Sequence, residues 1–195
     1  GTGVVLANGA YGNIVGGSSL GNTIGGNGNG ISIWDAGSDD NRIQGNFIGT
    51  DATGILNFGN LQEGVEIGFG ASDNLVGGVN AGEGNQIFNN GSGVWAGVSI
   101  EDTSVRNAIL GNSFQDNGAL GIQLSWASSL PIANDALDID GGGNSQQNYP
   151  VLSAAVISGA NINLQGVLDS EANTSYRIEF FASPTADSTG FGEGS

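Results

Sequence analysis

Residues 41–54 read NRIQGNFIGTDATG. Within them Asn41-Arg-Ile43-Gln-Gly45 is followed at once by Asn46-Phe-Ile48-Gly49, two copies of asparagine-x-aliphatic separated by a glycine. Each copy alternates an apolar residue with its neighbours, the period of a pleated strand. The glycine between them supplies a backbone corner. The phrase is therefore two very short strands meeting at a tight turn.

The same phrase recurs along the chain in rows. One row reads Gly-aliphatic-x-aliphatic: Gly3-Val4-Val5-Leu6, Gly30-Ile31-Ser32-Ile33, Gly64-Val65-Glu66-Ile67, Gly97-Val98-Ser99-Ile100 and Gly121-Ile122-Gln123-Leu124. A second row starts at Asn13, Asn41, Asn74 and Asn107, and a third at Asn22, Asn46, Asn85 and Asn112. No segment sustains a helical period. Three strands and three corners in a shortest repeat of roughly 22 residues make one coil of a solenoid. One coil cannot pair its own backbone, so coils stack about 4.8 Å apart through parallel ladders. The predicted fold is all-β: a right-handed parallel β-helix of four to five coils. Val4, Ile31, Val65, Val98 and Ile122 form one internal column and Leu6, Ile33, Ile67, Ile100 and Leu124 the next. Asn13, Asn41, Asn74 and Asn107 stack at one corner as amide rungs. An ice-binding face needs one short side chain repeated outward. The outward first-row positions here are Val5, Ser32, Glu66, Ser99 and Gln123, which share nothing.

The rows end near Leu124. Residues 1–130 form the expected β-helix, 131–148 an acidic, Gly/Asn-rich connector, and 149–195 a partial antiparallel β-sandwich. The sandwich strands are expected in VLSAAVISG, NINLQGVL and SYRIEFFAS, separated by turn residues.

Composition sets limits. The 195 residues carry 37 Gly and a formal charge of −16, with Arg42, Arg106 and Arg177 as the positive side chains. Such a surface repels phosphate, which argues against nucleic acid and anionic membranes as partners. No apolar run is long enough to insert in a membrane. Cys, His and Lys are absent, which excludes thiol nucleophiles, His-based triads and zinc–histidine sites. The chain begins at Gly1, with no signal peptide, and is read as a mature, processed or excised piece of a secreted protein.

NLVGG, GNFIGTDATG and AGEGNQI resemble the repeats of large bacterial extracellular right-handed β-helix proteins. NYPVL and FFASPTADSTGFGEG resemble the module that follows those repeats. The resemblance covers nearly the whole chain and implies a secreted or surface-attached protein without an assigned catalytic site. It also implies that further repeats and strands normally flank a piece such as this.

Several site expectations follow. Glu66 and Glu101 point outward on adjacent coils, two residues out of register, a diagonal of roughly 8 Å that suits an inverting glycosidase. Trp34, one coil away, offers a face for a sugar ring. The corner insertions at 49–63 and 88–96 carry Asp51, Phe58, Glu63 and Trp95 as candidate ligand contacts, or simply cover the flank of the stack. Asp135, Asp138, Asp140 and Asn144 surround a glycine run with the hard oxygens that Ca²⁺ takes, in a spacing like the front of an EF-type loop without its distal Glu. Asp35, Asp39 and Asp40 form a weaker acidic loop. Asn90-Gly-Ser92 and Asn173-Thr-Ser175 match glycosylation sequons.

The first functional expectation is a non-enzymatic extracellular structural or adhesive protein, self-associating head to tail through open ends into a filament. The alternative is a carbohydrate-binding or polysaccharide-hydrolysing β-helix using Trp34, Glu66 and Glu101.

Overall fold

The computed structural model describes residues 1–126, 128–183, 185 and 190–194. The chain makes four full circuits through three strands each. The first is β1 (Val4–Leu6), β2 (Ile14–Gly16) and β3 (Thr23–Ile24). The second is β4 (Ile31–Trp34), β5 (Arg42–Gln44) and β6 (Phe47–Ile48). The third is β7 (Val65–Gly68), β8 (Leu75–Gly77) and β9 (Gln86–Phe88). The fourth is β10 (Val98–Ile100), β11 (Ala108–Leu110) and β12 (Ser113–Gln115), and β13 (Ile122–Gln123) opens a fifth. β14 (Val151–Ser158) and β15 (Asn161–Val167) follow.

Corresponding strands of successive circuits pair in parallel. They build sheet 1 (β1-β4-β7-β10-β13), sheet 2 (β2-β5-β8-β11) and sheet 3 (β3-β6-β9-β12). This stack is compatible with a β-helix-like repeat. The register is that of the sequence rows: Val4, Ile31, Val65, Val98 and Ile122 are successive partners in sheet 1. The inward residues of the three sheets form one aliphatic core. Ile31, Ile33, Val65, Ile67, Val98 and Ile100 come from sheet 1, Ile43 and Val76 from sheet 2, and Ile24, Ile48, Ile87 and Phe114 from sheet 3. Gly16 and Gly77 close the same corner after sheet 2, each at φ 89°. An added Cβ at either position would run into the backbone of the next circuit, so only glycine fits there.

The corners are tied by asparagine rows. In each row the backbone N–H and side-chain amide of one Asn donate to the carboxamide oxygen of the next. Asn41 donates to Asn74 at 2.9 and 3.0 Å, and Asn74 to Asn107 at 3.0 and 3.1 Å. Asn22, Asn46, Asn85 and Asn112 form the second row. A third row, absent from the sequence reading, joins Asn27, Asn60, Asn90 and Asn117. Asn90, the first sequon residue, is a fully buried rung of that row.

Two rows end on a residue from the C-terminal third of the chain, and the backbone beside the other is met by one. Asn107 N–H donates to Asn144 Oδ1 at 2.9 Å, and Asn144 Nδ2 donates back to Asn107 O. Gly111 N–H donates to Glu179 Oε2 at 2.8 Å, beside the second row. Asn117 donates to the Glu193 carboxylate from both its backbone and its side chain. Phe114 N–H on β12 donates to Gly194 O at 2.7 Å. Backbone groups on the last circuit thus receive protein partners.

The sandwich expectation is corrected in one respect. β14 and β15 form an antiparallel pair, but residues 175–183 form no strand. Glu179 in that segment is turned away toward Gly111 and Arg177 instead of lining a third ladder. Residues 184–195 lie only partly within the described residues.

Candidate functional site

From β4 to β10 sheet 1 is buried on both faces, and its outer face there is polar. Ser32, Glu66, Ser99 and Gln123 are in-register partners on four successive strands, and all four are at least nine-tenths buried. The sequence reading left Glu66 and Glu101 on an open surface. They do project from the outer face, but Glu66 is 6% and Glu101 2% exposed. The reason lies in residues far away along the chain, which rise around this face.

A cleft of ≈ 370 Å³ opens over it, lined among others by Asn29, Trp34, Glu63, Glu66, Trp95 and Trp126. Trp34 ends β4, and its partner on β7 is Gly68. Glu101 follows Ile100, the partner of Ile67, so Trp34, Gly68 and Glu101 share a column. A Cβ at Gly68 would sit 3.5 Å from Glu101 Oε2 and 3.8 Å from Trp34 Cδ1. The glycine leaves room for both large side chains. Trp34 meets Phe69 edge to face at 6.0 Å, and Phe69 meets Trp126 likewise at 6.0 Å, giving an aromatic rim.

The polar groups of this face are incompletely paired. Asn29 Nδ2 donates to Glu66 Oε2 and, at 3.3 Å, to Ser32 Oγ; Ser32 Oγ donates to Glu66 Oε2 at 3.2 Å. Asn29 Oδ1, Ser99 Oγ, Glu101 Oε1 and Gln123 Oε1 are buried without a hydrogen-bond partner. Trp34 Nε1 lies close enough to Glu66 to help stabilise its carboxylate. It nevertheless completes no well-formed hydrogen bond.

Burial dominates the electrostatics. Desolvation, followed by the charges of Glu66, Glu63 and Asp102, pushes Glu101 up to about 9. Desolvation and the Glu66 charge push Glu63 up to about 7, against a backbone hydrogen bond that lowers it. Desolvation also raises Glu66, opposed by Ser32, Trp34 and Asn29. Burial thus pushes all three carboxyl groups of the face toward their protonated forms, and at Glu66 the donors Ser32 and Asn29 oppose that push.

The other expected residues fall elsewhere. Trp95 lines the same cleft as Trp34, while Phe58 borders a second one of ≈ 430 Å³ with Thr23, Gly25 and Asn57. Asp51 lines neither. Its carboxylate accepts from Ile55 N–H, Leu56 N–H and Thr53 Oγ1 and staples its own loop, which lowers its pKa. Asp135, Asp138 and Asp140 bring one carboxylate oxygen each within 4.8 Å of the others. The Asn144 carboxamide is bonded to the Asn107 backbone. Asn29 and Trp126 were missed by the sequence reading; an Asn next to Gly30 of the first row was the available signal for Asn29.

No protein-family model matches the chain, nor does any curated protein or solved structure.

Proposed function

We propose that this chain is part of a secreted or cell-surface right-handed parallel β-helix whose role is adhesive: it holds carbohydrate in the cleft over sheet 1 without chemical turnover. The observation that carries the reading is the cleft itself, where Trp34, Trp95 and Trp126 surround the polar groups of Asn29 and Glu66. Indole faces take the apolar face of a pyranose ring, and carboxylate and amide oxygens accept from its hydroxyls. Binding rather than hydrolysis is favoured because Glu101 does not line the cleft that Glu66 lines.

The test is a glycan array followed by calorimetry on the glycans retained. The expected result is micromolar binding of at least one oligosaccharide, weakened at least about tenfold by Trp95→Ala. No binding across the array would contradict the reading.

Calcium belongs to a separate place in this proposal. Asp135, Asp138 and Asp140 offer hard oxygens, and Asp135 Oδ1 and Asp140 Oδ1 are buried without a partner, which fits a cation held in the connector. Its role would be structural. A thermal midpoint raised by millimolar Ca²⁺, and not in Asp138→Asn, is the expected result; an unchanged midpoint would contradict it.

A further inference from the structure

The cleft carries a second message about what it accepts, and this inference rests on the carbohydrate reading above. Two of its lining side chains, Glu63 and Glu66, are carboxyl groups, and the charges of both act on Glu101 in the neighbouring column. No cationic side chain lines it. The arginines lie elsewhere: Arg42 on β5 in sheet 2, Arg106 paired with Asp73 at 2.6 Å, and Arg177 paired with Glu179 at 2.9 Å. Against this acidic lining stands a separate observation. Asn29 is 7% exposed, faces the cleft, and keeps its Oδ1 without a partner. A buried acceptor left open is costly unless something donates to it.

We infer that the cleft selects uncharged glycans: a neutral hexopyranose chain lies on the tryptophan faces and donates hydroxyls to Glu66 and Asn29, and chains of uronic acid are rejected at neutral pH. A sugar hydroxyl is the complement of these groups because it donates to an acceptor-only carboxylate and to an amide oxygen. A uronate replaces that donor with a second negative charge. Repulsion between unit charges several ångström apart in a cleft whose carboxyls are shielded from bulk water is enough for about a tenfold loss of affinity.

Acid relaxes the rejection. Glu63, near 7, gains its proton between pH 7.5 and 5.5, while a uronate stays ionised. The titratable groups facing Glu63 are Glu66 and, through the next column, Glu101, with Asp102 behind it.

Calorimetry with matched pairs tests the inference. The probes are β-1,4-linked mannohexaose and glucohexaose, each against the same chain carrying uronic acid at C6. At pH 7.5 the neutral member of a bound pair should bind at least about tenfold tighter, and the gap should narrow at pH 5.5 and in Glu63→Gln. Equal or tighter uronate binding at pH 7.5 overturns the inference and leaves the carbohydrate reading standing. A neutral preference that does not change in Glu63→Gln or with pH also overturns it, because the discrimination then owes nothing to these carboxyls. Failure of all four probes, together with a blank glycan array, removes the carbohydrate reading and this inference with it.

Discussion

Asn74 and Asn29 are both buried asparagines, 1% and 7% exposed, and they differ in what surrounds the carboxamide. Asn74 Oδ1 accepts from Asn41 N–H and Nδ2, while its own Nδ2 donates to Ser38 O, Ser72 O and Asn107 Oδ1. Asn29 donates to Glu66 and Ser32 and leaves its oxygen open. The corner rows are polar burial completed within the chain; the outer face of sheet 1 is polar burial left incomplete. A fully paired network rigidifies a fold, whereas an incomplete one carries a cost that a ligand relieves. That difference separates residues that build the stack from those that face the cleft.

The largest expected effect breaks the comparison on the cleft side. Glu101 and Glu63 have folded pKa values of about 9 and about 7, raised by burial. Unfolded, both ionise near 4.5. The folded state therefore retains protons that the unfolded state loses, so stability falls as pH rises from about 4.5 toward 9. A melting scan should show the midpoint dropping by on the order of 10 °C between pH 5 and 8.5. Glu101→Gln should flatten most of that slope, since the neutral amide has no proton to lose.

Next in size is the ladder itself. Asn74→Ala removes the acceptor for two Asn41 donors and the donor for three carbonyl oxygens. It should cost about 2–4 kcal/mol in chemical denaturation. Asn29→Ala, at a position already half unpaired, should cost less than about 1 kcal/mol. Equal losses would erase the distinction between the two kinds of buried asparagine.

The smallest effect belongs to the hairpin. Ile157 is 78% exposed on β14, and Ile157→Thr should change stability by no more than about 0.5 kcal/mol. A larger loss would mean that β14 and β15 pack on a surface not seen in this arrangement.

The stack was legible in the sequence because register in a buried strand is fixed by a period of two and marked by glycine corners. Ile31, Val65 and Val98 announce themselves as one column. The row of Asn27, Asn60, Asn90 and Asn117 was not legible, because loops of unequal length separate each from the next first-row glycine. The caps were hidden for a similar reason. Nothing local to Asn144, Glu179 or Glu193 tells that each returns to the edge of the fourth circuit. For the cleft, the outward side of Glu66 and Trp34 could be read from alternation, but the cover over them could not. It comes from Trp95 in a corner insertion and Trp126 beyond the last strand, positions that no period connects to Glu66.

The most direct test follows indole and carboxamide N–H signals by ¹⁵N NMR while a bound neutral hexasaccharide is titrated in. The indole signals of Trp34 and Trp95 should shift along one saturating curve, together with the side-chain amide of Asn29, while those of Asn41, Asn74 and Asn107 stay fixed. Saturation with the Trp34 and Trp95 signals unmoved, or with the ladder amides moving in their place, would contradict the assignment of the outer face of sheet 1 as the binding surface.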